Sequence, residues 1–367
     1  MLDLYKDFWQ NIKIGLQQAI TSDSEKKKII GRYLSSPFLS PALGKKLERL
    51  IQTAHIYDYV VPLELEGQGT VHFHFISNLS KLQIQKLVRY YFFVVYLRVS
   101  LPANPPLRFN TNPYIYIFPV AESKKFVKNM GIHEMNSAST HIHTNNYDGD
   151  IYMWRKDDIE KVLIHETLHS VHYDLDIINQ RVIPELRELE KDGFNRLNIN
   201  EAYTELCAVY LYNILKLSPK AAIGTNRRLL RALLLEDLEH SFKNCARLLR
   251  VNGIHSFKNL HDLEGYRQEA AAFSYIILRT GLLWSLLTKC KSKTKGRTDK
   301  LQCLDDFLAI GFSGRIGVYY QYVLLDIIKN GAFAREIMRH MEGQLPSGKM
   351  ILAGGKRASP LTLTNHK

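Results

Sequence analysis

The stretch VLIHETLHSVHYDLD, residues 162–176, carries three histidines, a glutamate and two aspartates on what its periodicity reads as one helix. His165 and His169 stand at i and i+4. Side chains so spaced lie on one face, one turn apart, and both imidazoles can reach a single ion. Glu166 points to the side of that pair, placed to take a proton from water held by the ion. This is the HExxH arrangement, in which two histidines bind zinc and the glutamate is the general base.

A catalytic zinc needs a third protein ligand. His172 lies seven residues after His165, about 10 Å along a straight helix, too far to share the ion. A metzincin has Gly and His after HExxH where this chain has His172 and Leu175. Asp174 and Asp176 would serve only if the helix ended abruptly, and no Gly or Pro ends it. The better candidate is Glu201 in NINEAYTELCAVYLYNIL, residues 198–215, with Glu205 one turn further on the same face. Glu205 is placed to accept the second N–H of a zinc-bound histidine, His165 by preference. The competing reading makes Asn198 and Glu201 a capping box at a helix start.

HETLH followed by NEAYTE resembles the gluzincin metallopeptidases, the thermolysin-like group, which pair HExxH with a later glutamate helix. The resemblance covers residues 115–215 by motif and 57–290 by order of elements. It implies His165, His169 and Glu201 as zinc ligands, Glu166 as general base, Glu205 as the acidic residue behind a ligand and Thr204 in the small hydroxyl position. It also implies an edge strand that holds the substrate backbone. GIHEMNSAST, residues 131–140, is in the right place, with Asn136 and Ala138 at the substrate-contacting positions. A Tyr or His from the helical half should help stabilise the oxyanion; Tyr275 is preferred over Tyr319, Tyr320 and Tyr322. HEMN is similar to the amine-binding element of related aminopeptidases, which would give Glu134 that role. His141 and His143 alternate on one strand face and offer a second, weaker ion site.

The surrounding chain reads as α+β and zincin-like. Residues 1–55 are expected to be helical, the first helix continuing to residue 20. YDYVVPLELEGQGTVHFHF, residues 57–75, reads as a hairpin and residues 79–100 as a long apolar helix. PYIYIFPV, EMNSASTHIHT and DGDIYMWR read as strands. The expected units are an N-terminal helical segment 1–55, an α/β lobe 56–175 with a mixed sheet, a backing helix and the histidine helix, a mainly helical lobe 176–341 carrying the third ligand, and a mobile basic tail 342–367. Helices are expected at 182–192, 200–217, 225–250, 260–288, 303–311 and 316–341.

The 367 residues carry a formal net charge of +13, which suits acidic partners, whether nucleic acid or acidic protein. Four cysteines with no CxxC spacing suggest a reducing compartment. The N-terminus does not read as a secretory signal. The run AAAFSYIILRTGLLWSLL, residues 270–287, is interrupted by Arg279 and reads as a core helix rather than a membrane span. The expectation is an intracellular, cytoplasmic zinc peptidase with one Zn2+ per chain, an endopeptidase acting on peptide or protein substrates. The alternatives are an aminopeptidase using Glu134 and a non-catalytic basic binding protein on the same fold.

Overall fold

The computed structural model describes residues 1–11, 14, 17–63, 69–76, 79–101, 113–120, 122–142, 149–173, 183–186, 197–263, 266, 271–288, 304 and 317–342. The expected helix at 182–192 is described only at 183–186, where 184–186 are helical; that at 303–311 is described only at residue 304, and the tail beyond 342 lies outside the described residues. Cys290 and Cys303 lie outside them too, while Cys207 and Cys245 are buried and unbridged.

One six-stranded mixed sheet organises the N-terminal half. Its strands are β1 (Gln17–Ile20), β2 (Ile56–Leu63), β3 (Gly69–Ile76), β4 (Tyr114–Val120), β5 (Ala138–Ile142) and β6 (Gly149–Arg155). They lie in the order β1-β2-β3-β4-β6-β5. β3 runs parallel to β4 and β4 to β6; the other pairs are antiparallel, including the expected hairpin of β2 and β3. Residues 17–20 therefore correct the expectation of a helix reaching residue 20. The first helix, α1, stops at Asn11 (Leu2–Asn11), and pairing with β2 decides the conformation of β1, as tertiary context commonly does for short segments.

Alternation sorts the strand side chains into two cores. Tyr116, Phe118, Tyr152 and Trp154 pack with Tyr33, Leu43, Leu47 and Ile51 from α2 (Asp23–Leu34) and α3 (Pro41–Thr53). Ile115, Ile117, Ile151 and Met153 face the larger core on the opposite side. That core includes α4 (Lys81–Ser100), opened by a reciprocal Ser80–Gln83 capping box. It also takes in α6 (Ile159–Ser170), which follows the short α5 (Ile132–Met135).

The helical half adds α7 (Ile199–Leu215) and α8 (Ile223–Val251), then a π-helical turn over Phe273–Leu278 that runs into α9 (Arg279–Thr288). The single helix expected at 316–341 is two, α10 (Gly317–Lys329) and α11 (Gly331–Glu342). They are separated at Asn330, whose side chain accepts the Ala332 N–H at 2.9 Å. The chain is thus a mixed α+β fold rich in helix. No described helix is long and apolar enough to cross a membrane.

Candidate metal centre and cleft

Residues 162–168 of α6 are all buried, as is Ser170. A helix covered on nearly every side cannot show an amphipathic stripe. β6 and β5 lie on one side of it, α4 and α7 on others. Its C-terminus is fixed by close approach to the start of β6: Ser170 Oγ donates to the Gly149 carbonyl at 2.8 Å, and a Cβ on Gly149 would stand 2.8 Å from the Ser170 Cα. The helix ends at once after Ser170. Tyr173 N–H bonds to the Leu168 carbonyl and His172 N–H to the His169 carbonyl, each at 2.9 Å, with His172 in the left-handed region at φ 53°. This is a Schellman ending with His where Gly is usual. It corrects the expectation that the helix runs on to residue 175. His172 leaves the His165/His169 face, while Asp174 and Asp176 lie outside the described residues.

Three side chains converge from α6 and α7. His165 Nε2 and His169 Nε2 are 3.0 Å apart, and Glu201 Oε2 lies 3.3 Å from the first and 3.4 Å from the second. Ligands placed tetrahedrally at zinc-like bond lengths stand about 3.3 Å from one another. The group could hold a metal ion, and it is the one such cluster of three or more among the described residues. Glu201 Oε2 is buried with no hydrogen-bond partner, as expected of an atom reserved for a cation. Asn198 makes no side-chain cap, so the capping-box reading of Asn198 and Glu201 is not realised.

Glu205 Oε2 stands 2.9 Å from His165 Nδ1, and its other oxygen pairs with Lys161, one turn before His165. With Glu205 accepting the Nδ1 proton, the Nε2 lone pair is left for the ion. Burial opposes charge on these groups, but the contacts prevail. Lys161 and His165 hold the Glu205 carboxyl far below its usual range, His169 and His165 do so for Glu201, and Glu201 and Glu205 raise His165.

Glu166 is buried, and Thr140 Oγ1 lies 2.7 Å from its Oε2 and 3.0 Å from its main-chain carbonyl. Thr140 belongs to β5, the edge strand at one end of the sheet, so the strand beside the cleft also orients this carboxylate. Tyr275, in the π-helical turn, sets its ring 5.4 Å from that of His165, within reach of the charge of Glu201. Burial, together with the charges of Glu201 and Glu166, raises its hydroxyl well above the usual tyrosine range, so it stays a donor. The other tyrosines considered are placed differently. Tyr320 is buried and bonded to the Ile199 carbonyl, Tyr322 is exposed, and the side chain of Tyr319 lies outside the described residues.

An open cleft of about 750 Å³, its mouth included, reaches His165, Glu166 and Tyr275; Asn136, Ser137 and Ala138 also line it, with a charged end described below. Only part of the expected substrate strand is a strand. Residues 132–135 form the helical turn α5 and Asn136 is its C-cap, while Ala138 lies in β5 as expected. The turn forms because Glu134 Oε2 accepts the Gly131 N–H at 3.0 Å, closing the local ring in place of strand pairing. Glu134 is thereby spent on its own turn and does not line the cleft. His143 and the side chain of His141 lie outside the described residues.

Sequence reasoning missed Thr140, Lys161, Lys124 and Arg279. Two carried a signal: Lys161 sits at i−4 from His165, and Arg279 is an isolated charge in an apolar run, one turn beyond Tyr275. The chain matches no family model, no curated protein and no solved structure.

Proposed function

We propose that the protein is a zinc-dependent peptidase of zincin-like, gluzincin-type architecture that cleaves within peptide chains. The observation that carries this reading is the convergence of two imidazole nitrogens and one carboxylate oxygen at 3.0–3.4 Å beside a cleft-lining Glu166. His165, His169 and Glu201 are the residues that would hold the ion. When bound, zinc supplies a Lewis acid that polarises a carbonyl and makes water acidic enough to deprotonate near neutral pH.

The chain's own groups do the rest. Glu166, held by Thr140 through Oε2, takes the proton from the attacking water and returns it to the leaving amine. Tyr275 donates to the oxygen that gains charge as the carbonyl becomes tetrahedral. Among the described residues β5 pairs with β6 on one side and ends the sheet, leaving an edge for an extended substrate to extend by main-chain hydrogen bonds. The small side chains of Ser137 and Ala138 let that backbone come close. Because Glu134 caps its own turn, the endopeptidase reading is preferred to the aminopeptidase one.

Glu166→Gln tests the proposal. The variant is expected to keep its zinc and lose at least about 100-fold in turnover of N-terminally blocked peptides. Turnover equal to that of the unaltered chain would sink the assignment. A preference for free over blocked N-termini would revive the role of Glu134.

A further inference from the structure

The cleft continues past His165 into an end lined by Lys124, Lys161, Arg279, Asp158 and Glu205. Three cations there face three carboxylates, since Asp157 lines it too. Lys161 and Glu205 are committed to each other. Asp157 is committed to the loop that carries Lys124, accepting the Lys124 N–H at 2.9 Å with Ser123 Oγ at 3.2 Å. That tie fixes the loop, while the Lys124 ammonium has no hydrogen bond or ion pair among the described residues. Arg279 is 5% exposed; one guanidinium nitrogen bonds to Ser241 Oγ, and its Nε is buried with no partner. A buried donor without an acceptor is costly, and a cation in a recess is stabilised by an incoming anion.

We propose that this end of the cleft is a subsite for a substrate carboxylate, either a Glu or Asp side chain or a free C-terminus, with Lys124 as the residue that reads it and Arg279 as the second donor. The inference rests on the peptidase reading and adds its substrate class. The setting of Lys124 supports it: burial and the nearby Lys161 lower it to about 8 against the pull of Glu205 and Asp158, neither of which pairs with its ammonium, so a carboxylate brought into contact would favour its charged form. Lys161 is unsuited to the task because Glu205 already holds it, with burial opposing and Glu205 and Asp158 favouring its charge.

The test uses the zinc-loaded full chain and fluorogenic peptides carrying Glu, Gln or Lys at each position flanking the scissile bond, as C-terminal amides and as free acids. The expected result is a kcat/KM advantage of about tenfold or more for Glu over Gln at one position, or for free acid over amide, which tells side chain from C-terminus. Lys124→Met should collapse that ratio, Lys124→Arg should preserve it, and Lys124→Glu should turn the preference toward Lys. A flat profile, or a ratio untouched by Lys124→Met, overturns the subsite. A second arm measures binding of labelled forms of the same peptides to Glu166→Gln by fluorescence anisotropy. Charge-selective binding without hydrolysis by the unaltered chain keeps the subsite and overturns the peptidase reading. Hydrolysis without selectivity does the reverse, and neither binding nor hydrolysis overturns both.

Discussion

Glu205→Gln separates two tasks that one carboxylate performs. Its Oε2 faces His165 Nδ1 at 2.9 Å and its Oε1 pairs with Lys161, whose side chain is 13% exposed against 9% for Glu205. The amide keeps the shape and an acceptor but loses the charge. A neutral acceptor makes a bond roughly half as strong as a charged one, and partners behind a metal-binding histidine are worth about 10–100-fold in metal affinity. Zinc affinity should therefore fall by about 1.4–2.7 kcal/mol. Stability should fall separately, because Lys161 is left buried without its partner. Breaking a buried pair costs about 3–5 kcal/mol, and Asp158 remains near enough to compensate in part, so about 3 kcal/mol is expected.

Competition with a chromophoric chelator reads the affinity. Urea unfolding in excess chelator reads the stability free of metal linkage. The double variant Lys161→Met/Glu205→Gln removes both charges and should regain most of the stability while its zinc affinity stays low. A folded Glu205→Gln chain that binds zinc as tightly as the unaltered one would refute the claim that the charge of Glu205 strengthens the hold of His165 on the ion. A double variant no more stable than the single one would refute the buried-pair argument.

Glu201→Ala should reduce bound zinc from one per chain to none in metal analysis, and one zinc retained would exclude Glu201 as a ligand. Tyr275→Phe should lower kcat by about 100-fold with KM little changed, as loss of an oxyanion donor does; a rise in KM alone would make Tyr275 a binding residue. Gly149→Ala drives a methyl against the Ser170 main chain and should cost about 1–3 kcal/mol in urea unfolding, so an unchanged midpoint would show that the contact between β6 and α6 yields freely. His74, 2% exposed beside Tyr116, is lowered from 6.5 to about 4, chiefly by burial, with Asp58 opposing. The unfolded chain thus takes up this proton first, and stability should be intact above pH 6.5 and fall by up to about 3 kcal/mol as pH drops toward 4; His74→Phe should flatten that slope, and an unaltered slope would refute the linkage.

What was legible in the sequence was what lay on a single periodic element. The hairpin, the long apolar helix and the strands at 114–120 and 149–155 announce themselves by alternation or helical period. His165, His169, Glu201 and Glu205 do so because each pair is four residues apart on its helix. Features set by contacts between elements stayed hidden. β1 is a strand because β2 lies beside it, though its own four residues, QQAI, carry no strand pattern. The stop after Ser170 depends on a histidine accepting a left-handed conformation that sequence rules reserve for Gly or Asn. The break at Asn330-Gly331 is different, since Asn-Gly is a turn signal that the helical period of the flanking residues outweighed.

The same division explains why the ion site was readable and the charged end of its cleft was not. The three convergent donors need only two helices, each with its own period, plus one packing contact to bring them together. Lys124, Arg279 and Thr140 come from a loop, the helix continuing from a π-helical turn and an edge strand, with 139 residues separating Thr140 from Arg279. No spacing rule connects them. Each is placed by a local tie: Asp157 to the Lys124 loop, Thr140 to Glu166, Ser241 to Arg279. The π-helical turn then decides which face carries Tyr275 toward His165, and an inserted residue in a helix shifts every later side chain by about 100°. On the proposed reading, ligand identity follows from helical spacing, whereas substrate selection would follow from which loops and edges the topology brings to the cleft. Substitutions at Lys124 or Arg279 should therefore alter peptide preference without moving the three ion ligands, a separation that zinc titration and peptide profiling of the same variants can measure.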